Sequence, residues 1–326
     1  MTDPNEVGGE QFAIRNELPP FFSVLLPELG RPQYLKKCID SIHQYADMPV
    51  EIIVHDDGSG RGKQHRILSQ MGNSISTLVL NQGRNLGLAA SFNRCRAMAN
   101  SNYLIGLNVD TYMTSSFLQQ MKVALDLPYV GMVVPQSPAQ ERKAGRGTYT
   151  TPEGVRISLR GPGSCHCFGM RAEVWDELGG WNDRVQTTAS DGGFVHNIVM
   201  KAGLFTVAVE GTIMNEMFGP EGAGNPTHIS SAEFAHGDNN IPPIFGIPKR
   251  EYNKLCDRRR EKIWKSLNVG VEKDRYFPTP YNAHFGAQEL GKLFTGDSRV
   301  VDWEFAEKYG MDKWKDQVIR DFGLDQ

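Results

Sequence analysis

Between positions 22 and 209 the chain alternates short apolar runs with amphipathic stretches, and few folds satisfy that alternation. Residues 22–26, 51–55, 77–80, 103–107 and 130–134 are runs of strand length, rich in Val, Ile, Leu and Phe, and bounded by turn-forming residues. Between them, residues 33–45, 88–99 and 117–125 space their apolar side chains at helical period, as Leu35, Ile39 and Ile42 do. Strands joined through helices build βαβ units, so the pattern predicts an α/β domain with a mainly parallel twisted sheet flanked by helices. In such a sheet, ligands bind beyond the carboxyl ends of the strands. The punctuation after each strand is therefore where chemistry belongs.

Length and composition fit this. A chain of 326 residues holds one large α/β domain and an extension. An apolar fraction of 40% and a charged fraction of 22% suit a globular protein with a core. The net charge of −3 gives no whole-molecule attraction to nucleic acid or anionic lipid. Residues 1–20 read as a flexible leader without a secretory pattern, and no run reaches the ~18 apolar residues of a membrane span. The five cysteines suggest reduced thiols in a cytoplasmic protein. The expected division is leader 1–20, nucleotide-binding and catalytic domain 21–215, an acceptor-side loop segment 216–248 and a helical extension 249–326. Within the domain, residues 136–163 lack periodicity and read as a long surface loop or lid. Regularity returns at 165–171, with helices near 173–178 and 194–202 and a strand at 205–209.

Polar groups stand after three of the strands: Pro27-Glu28, Asp56-Asp57-Gly58-Ser59 and Asn108-Val109-Asp110. Carboxylates at the lip of a parallel sheet accept hydrogen bonds from a base and ribose, and they hold a hard divalent cation through oxygen. A diphosphate leaving group calls for such a cation. Taken alone, Asp-Asp-Gly-Ser is an ordinary turn; the order of the three groups along successive strands makes the set specific.

On these segments the chain resembles the inverting, GT-A-fold glycosyltransferases of family 2. The stretches FSVLLPELGRPQYLKKCIDSI, EIIVHDDGSG, NQGRNLGLAASFN and YLIGLNVD carry the likeness, which extends over residues 22–215. It implies a nucleotide-sugar donor, expected to be a UDP-sugar, and a divalent cation, manganese or magnesium. Pro27 and Glu28 would lie near the nucleotide, Asp56 and Asp57 would contact the base, and Arg84, Asn85, Gly87 and Asn93 would line the nucleotide pocket. The family's Asp-x-Asp metal motif maps onto residues 108–110. Asparagine replaces its first carboxylate, so Asp110 becomes the metal ligand and Asn108 a partner for ribose or metal-bound water.

Downstream, CFGMRAEVWDELGGWNDRV resembles the segment that frames the acceptor pocket. The family's catalytic base follows it, and Asp191 stands there, with Ser190 in place of the usual glutamate. Asp191 serves as general base, as helix N-cap, or as both. The resemblance also implies a histidine ligand near residues 214–216, where there is none; His228 and His236 follow in the next loop. Trp181 is a candidate to stack on a sugar, and Trp175 reads as helix core.

Residues 249–265 hold eight Lys or Arg against three acids. They form either a solvated helix packed on the domain or a docking surface for an anionic acceptor or membrane surface. Acceptors consistent with the sequence are a glycan, a lipid-linked or other hydroxyl compound and, behind these, nucleic acid; a homo-oligomer is a further expectation. Two rival classes stay open. A nucleotidyltransferase would carry a Gly-rich basic loop after the first strand, which residues 28–32 match poorly. The Asn108 and Ser190 departures also suit a catalytically inactive nucleotide-sugar-binding relative.

Overall fold

The structure is a computed structural model and describes residues 21–81, 86–135, 146–160, 166–181, 202–211, 214–216, 293 and 301–324. Strand β1 (Phe22–Glu28) is buried along its whole length, as the run FSVLLPE requires of a strand covered on both faces. It pairs in parallel with β2 (Val50–Asp56) on one side and β4 (Tyr103–Leu107) on the other, and β3 (Thr77–Leu80) extends the parallel set beyond β2. Helix α1 (Pro32–Tyr45) connects the first two strands. Proline in its first turn costs no helical hydrogen bond, and Leu35, Cys38, Ile39 and Ile42 bury one face. Helices α2 (Arg61–Met71) and α3 (Leu88–Ala97) follow β2 and β3, and α4 (Leu118–Leu125) precedes β6 (Val130–Pro135).

Beyond β4 the twisted sheet is mixed, with parallel and antiparallel pairs. Its full order is β3-β2-β1-β4-β9-β6-β10-β8-β7. Strand β9 (Cys167–Arg171) lies antiparallel between β4 and β6, and β10 (Phe205–Val209) runs parallel to β6. Strands β7 (Arg146–Thr150) and β8 (Arg156–Arg160) form an antiparallel hairpin joined to β10. Ten residues of the expected 136–163 loop are therefore sheet. The turn Thr151-Pro152-Glu153-Gly154 closes it, with Gly154 at φ +82°, a conformation that favours glycine. Residues 136–145 and 161–165 lie outside the described set.

A second, two-stranded sheet pairs β5 (Thr111–Met113) with β11 (Met214–Glu216), so the boundary expected at 215 falls inside a strand. Helix α5 (Ala172–Glu177) follows β9 directly. Helices α6 (Trp303–Glu307) and α7 (Lys315–Phe322) close the chain against the domain. Tyr129 donates to Asp321 at 3.0 Å, Trp314 Nε1 donates to the Gly203 carbonyl at 3.0 Å, and the Phe322 ring lies against Tyr129 and Tyr149. Cys38, Cys95 and Cys167 are free, buried thiols. Among the described residues no helix is long and apolar enough to cross a membrane. The expected helix 194–202 and the basic stretch 249–265 lie outside the described residues, apart from Ala202.

Candidate functional site

From β1 the chain builds outward both ways, to β2 on one side and β4 on the other. That reversal makes a topological switch point at the carboxyl ends of β1 and β4, where sheets of this kind hold their ligand crevice. The groups singled out after these strands meet there. Glu28 is the register partner of Asp56, and the Asp57 backbone N–H donates to the Glu28 carbonyl at 2.8 Å.

Asp56 and Asp57 are engaged in building the rim. Asp56 is fully buried and accepts from the Ser59 hydroxyl, from the Ser59 N–H at 3.3 Å and from Gln64 Nε2 at 2.6 Å. Ser59 Oγ in turn accepts from the Gly30 N–H at 2.5 Å, which ties the loop after β1 to the turn after β2. Asp57 reaches the other way. It accepts from Asn81 Nδ2 at 2.9 Å, from the Leu86 N–H at 2.9 Å to both oxygens, and from the Gly87 N–H at 2.8 Å. Gly87, at φ +97°, delivers the chain into α3. A carboxylate offers about four acceptor positions, and three protein donors point at those of Asp57, with the Leu86 N–H shared between both oxygens. The Asp-Asp pair thus forms the turn that its residues predict locally, and it clamps both neighbouring segments.

Two buried oxygens at the crevice have no hydrogen-bond partner among the described residues: Glu28 Oε2 and Asn108 Oδ1. Glu28 Oε1 accepts from the Arg31 N–H, and the side chain is 1% exposed. Burial pushes its carboxyl up to about 7, against the pull of the Arg31 N–H and with a further push from Asp56. Across the crevice, the Asn108 carbonyl accepts from Thr111 Oγ1 at 2.5 Å and the Thr111 N–H at 3.0 Å, closing the turn that carries Asp110. Asp110 is buried. Burial holds the thiol of the buried Cys38 well above its ordinary value, with added pushes from Cys167, Asp110 and Glu28.

Beside this rim, His55 is buried, with Nδ1 3.0 Å from Ser91 Oγ and Nε2 3.5 Å from Arg94 Nη1. Burial lowers its pKa, Asp57 opposes that, and Arg94 adds to it. Arg94 has only donors, so Nε2 accepts and Nδ1 carries the proton.

Asn93 differs from the expectation of a nucleotide contact. Its Nδ2 donates to the Trp181 carbonyl at 2.7 Å and its Oδ1 accepts from the Trp181 N–H at 2.9 Å, so the side chain clasps the Gly180–Trp181 turn. Trp181 in turn is not a free sugar platform. It is 1% exposed and packs on Phe92 with centroids 4.8 Å apart, beside Phe168 and Trp175. Trp175 is buried core, as its helical position predicts. Arg84, Asn85, Asp191, His228 and His236 lie outside the described residues.

His166 is the residue that sequence reasoning missed. It precedes β9, and the β4–β9 register sets Leu107 opposite Cys167, which brings His166 to Asn108. The Asn108 N–H donates to the His166 carbonyl at 2.9 Å, and Asn108 Nδ2 stands 3.3 Å from His166 Nδ1. The signal was a histidine directly before a strand, but an antiparallel β9 inserted beside β4 was not foreseen.

Asp110 and the Asn108 amide supply oxygen donors, the chemistry a hard divalent cation takes. Among the described residues no three His, Cys, Asp or Glu side chains gather as a metal-holding group.

Residues 23–178 match the family model described as glycosyl transferase family 2. Among solved structures, the chain is similar to the mannosyltransferase PcManGT from Pyrobaculum calidifontis in complex with GDP-Man and Mn2+. The TM-score is 0.52 at 17% identity, over 92% of this chain and 88% of that one. It is also similar to GalNAc-T7 with UDP, GalNAc and Mn2+, with a TM-score of 0.51 at 16% identity, over 62% of this chain. The match spans 44% of that protein's length. No curated protein matches by sequence. At these identities the structural likeness speaks for the fold.

Proposed function

We propose that this chain, whose residues 23–178 match the glycosyl transferase family 2 model, transfers a sugar from a nucleoside diphosphate to an acceptor hydroxyl with inversion at this crevice. The observation that carries the proposal is the pair of unpartnered buried oxygens, Glu28 Oε2 and Asn108 Oδ1, on either side of the sheet's switch point. A buried polar atom without a partner is costly, and a ribose, base or hydrated cation would satisfy both. The similar structures were solved with UDP or GDP-Man together with Mn2+, which supports the donor class; we propose a UDP-sugar.

Asp110 would hold a divalent manganese or magnesium ion, and Asn108 would accept from ribose or from a water on the ion. When bound, such an ion neutralises the charge that develops on the departing diphosphate. Asp56 and Asp57 keep the pocket floor rigid by tying the loops after β1, β2 and β3. Asp191 takes the proton of the acceptor hydroxyl as its oxygen bonds to the anomeric carbon, while the bond from that carbon to the β-phosphate oxygen breaks. One displacement inverts the configuration. The acceptor is a glycan or a lipid-linked or other hydroxyl compound, approached from the Gly180–Trp181 side.

A thermal-shift screen of nucleotide-sugars with manganese or magnesium tests the donor and the cation together. Incubation with the stabilising donor should then release a nucleoside diphosphate. Release of pyrophosphate would mean nucleotidyl transfer instead, and tight binding without turnover would mean an inactive relative.

A further inference from the structure

We infer that His166 is a positioning residue that fixes which end of the Asn108 amide faces the ligand, an inference that rests on reading this crevice as a nucleoside-diphosphate site. Asn108 replaces a carboxylate. A carboxylate has two equivalent oxygens, and either can accept. An amide is polar end to end, and a half-turn about its last bond exchanges an acceptor for a donor. An asparagine that must offer oxygen to a ribose hydroxyl or a hydrated cation therefore needs something to hold its nitrogen elsewhere.

His166 does this. The amide nitrogen has only protons to give, so at 3.3 Å from Nδ1 it makes a hydrogen bond when that ring nitrogen accepts, with the imidazole proton on Nε2. With Nδ2 turned to the ring, Oδ1 is left buried and without a partner among the described residues. Backbone contacts hold the main chain of Asn108. The Asn108 N–H is bonded to the His166 carbonyl at 2.9 Å, and the Asn108 carbonyl to Thr111. The amide rotation is a freedom these contacts leave, and an accepting His166 Nδ1 favours the orientation with Nδ2 toward the ring. The histidine compensates for the missing carboxylate by orientation, without itself needing to touch the ligand.

The test is calorimetric titration of the full chain with uridine diphosphate and guanosine diphosphate, each with Mn2+. His166→Phe keeps a ring but removes the acceptor, and it should weaken binding roughly 3- to 10-fold, the range for one lost neutral hydrogen bond. His166→Asn returns an acceptor near Nδ1 and should bind within about twofold of wild type. In an Asn108→Asp background, where neither oxygen needs orienting, His166→Phe should change affinity by less than about twofold. Equal losses from His166→Phe in both backgrounds would make the histidine a general packing residue and overturn the inference. So would unchanged binding by His166→Phe alone. If wild type binds neither diphosphate, the site reading fails and this inference falls with it; binding by wild type with a silent His166 series overturns only the present inference.

Discussion

Glu28 and Asp56 are register partners across the parallel pairing of β1 and β2, which sets two buried carboxyls side by side at one strand end. They differ in what surrounds them. Asp56 is satisfied by Ser59 and Gln64. Glu28 has one oxygen on the Arg31 N–H and one with no partner among the described residues. Burial, aided by Asp56, consequently raises the Glu28 pKa from 4.5 to about 7.

That difference predicts a pH-dependent stability. In the unfolded chain Glu28 ionises near 4.5, and in the fold near 7, so the folded state binds the extra proton between those values. Its contribution is full below pH 4.5 and is lost as pH rises through 7, by roughly 3 kcal/mol for a shift of this size. Glu28→Gln keeps an acceptor for the Arg31 N–H and has no proton to lose. Denaturant melts of both proteins from pH 4 to 8 should show the variant gaining on wild type as pH rises. A constant difference across that range would mean that the carboxyl is not held protonated.

Asn93 gives a second prediction. Asn93→Ala strips both hydrogen bonds from the Trp181 backbone and should cost roughly 2 kcal/mol, or several degrees in Tm. Asn93→Asp keeps an acceptor for the Trp181 N–H but loses the donor to its carbonyl, and its Tm should fall in between. Trp181 fluorescence should shift to the red in Asn93→Ala as the turn loosens.

Gly106 lies in β4, two residues before Asn108. A Cβ there would overlap the Phe168 ring, because β9 runs directly beside it with Gly106 opposite Phe168. Gly106→Val should destabilise by roughly 1–3 kcal/mol through overpacking, visible as a lowered urea midpoint. A variant of unchanged midpoint would place that ring elsewhere.

At the proposed cation position, Asp110→Ala should weaken manganese-dependent nucleoside diphosphate binding roughly 10- to 100-fold, as expected when one charged partner is lost. Binding measured in a chelator should change little. A loss of equal size with and without manganese would assign Asp110 to the nucleotide itself.

For the proposed base, Asp191→Asn should cut transfer roughly a hundred- to ten-thousand-fold and leave donor binding intact. Turnover near the wild-type rate would move the proton acceptor to another group and leave Asp191 as a helix cap.

The alternation of apolar runs with amphipathic helices was enough to identify β1 to β4, α1, α3 and α4, because burial on both faces forces a strand to be apolar and the helical period is local. The same locality made the strand-end groups Glu28, Asp56, Asp57 and Asp110 visible. Pairing is not local. The insertion of β9 between β4 and β6, the β7–β8 hairpin inside an expected loop and the docking of β11 on β5 each depend on contacts between distant segments. Tertiary structure alone therefore decided that Asp57 is held by Asn81, Leu86 and Gly87, that Asn93 holds Trp181 rather than standing free, and that His166 meets Asn108. A side chain's type is written in the chain, but which of its hydrogen bonds are already taken is settled only when the fold brings its neighbours within reach.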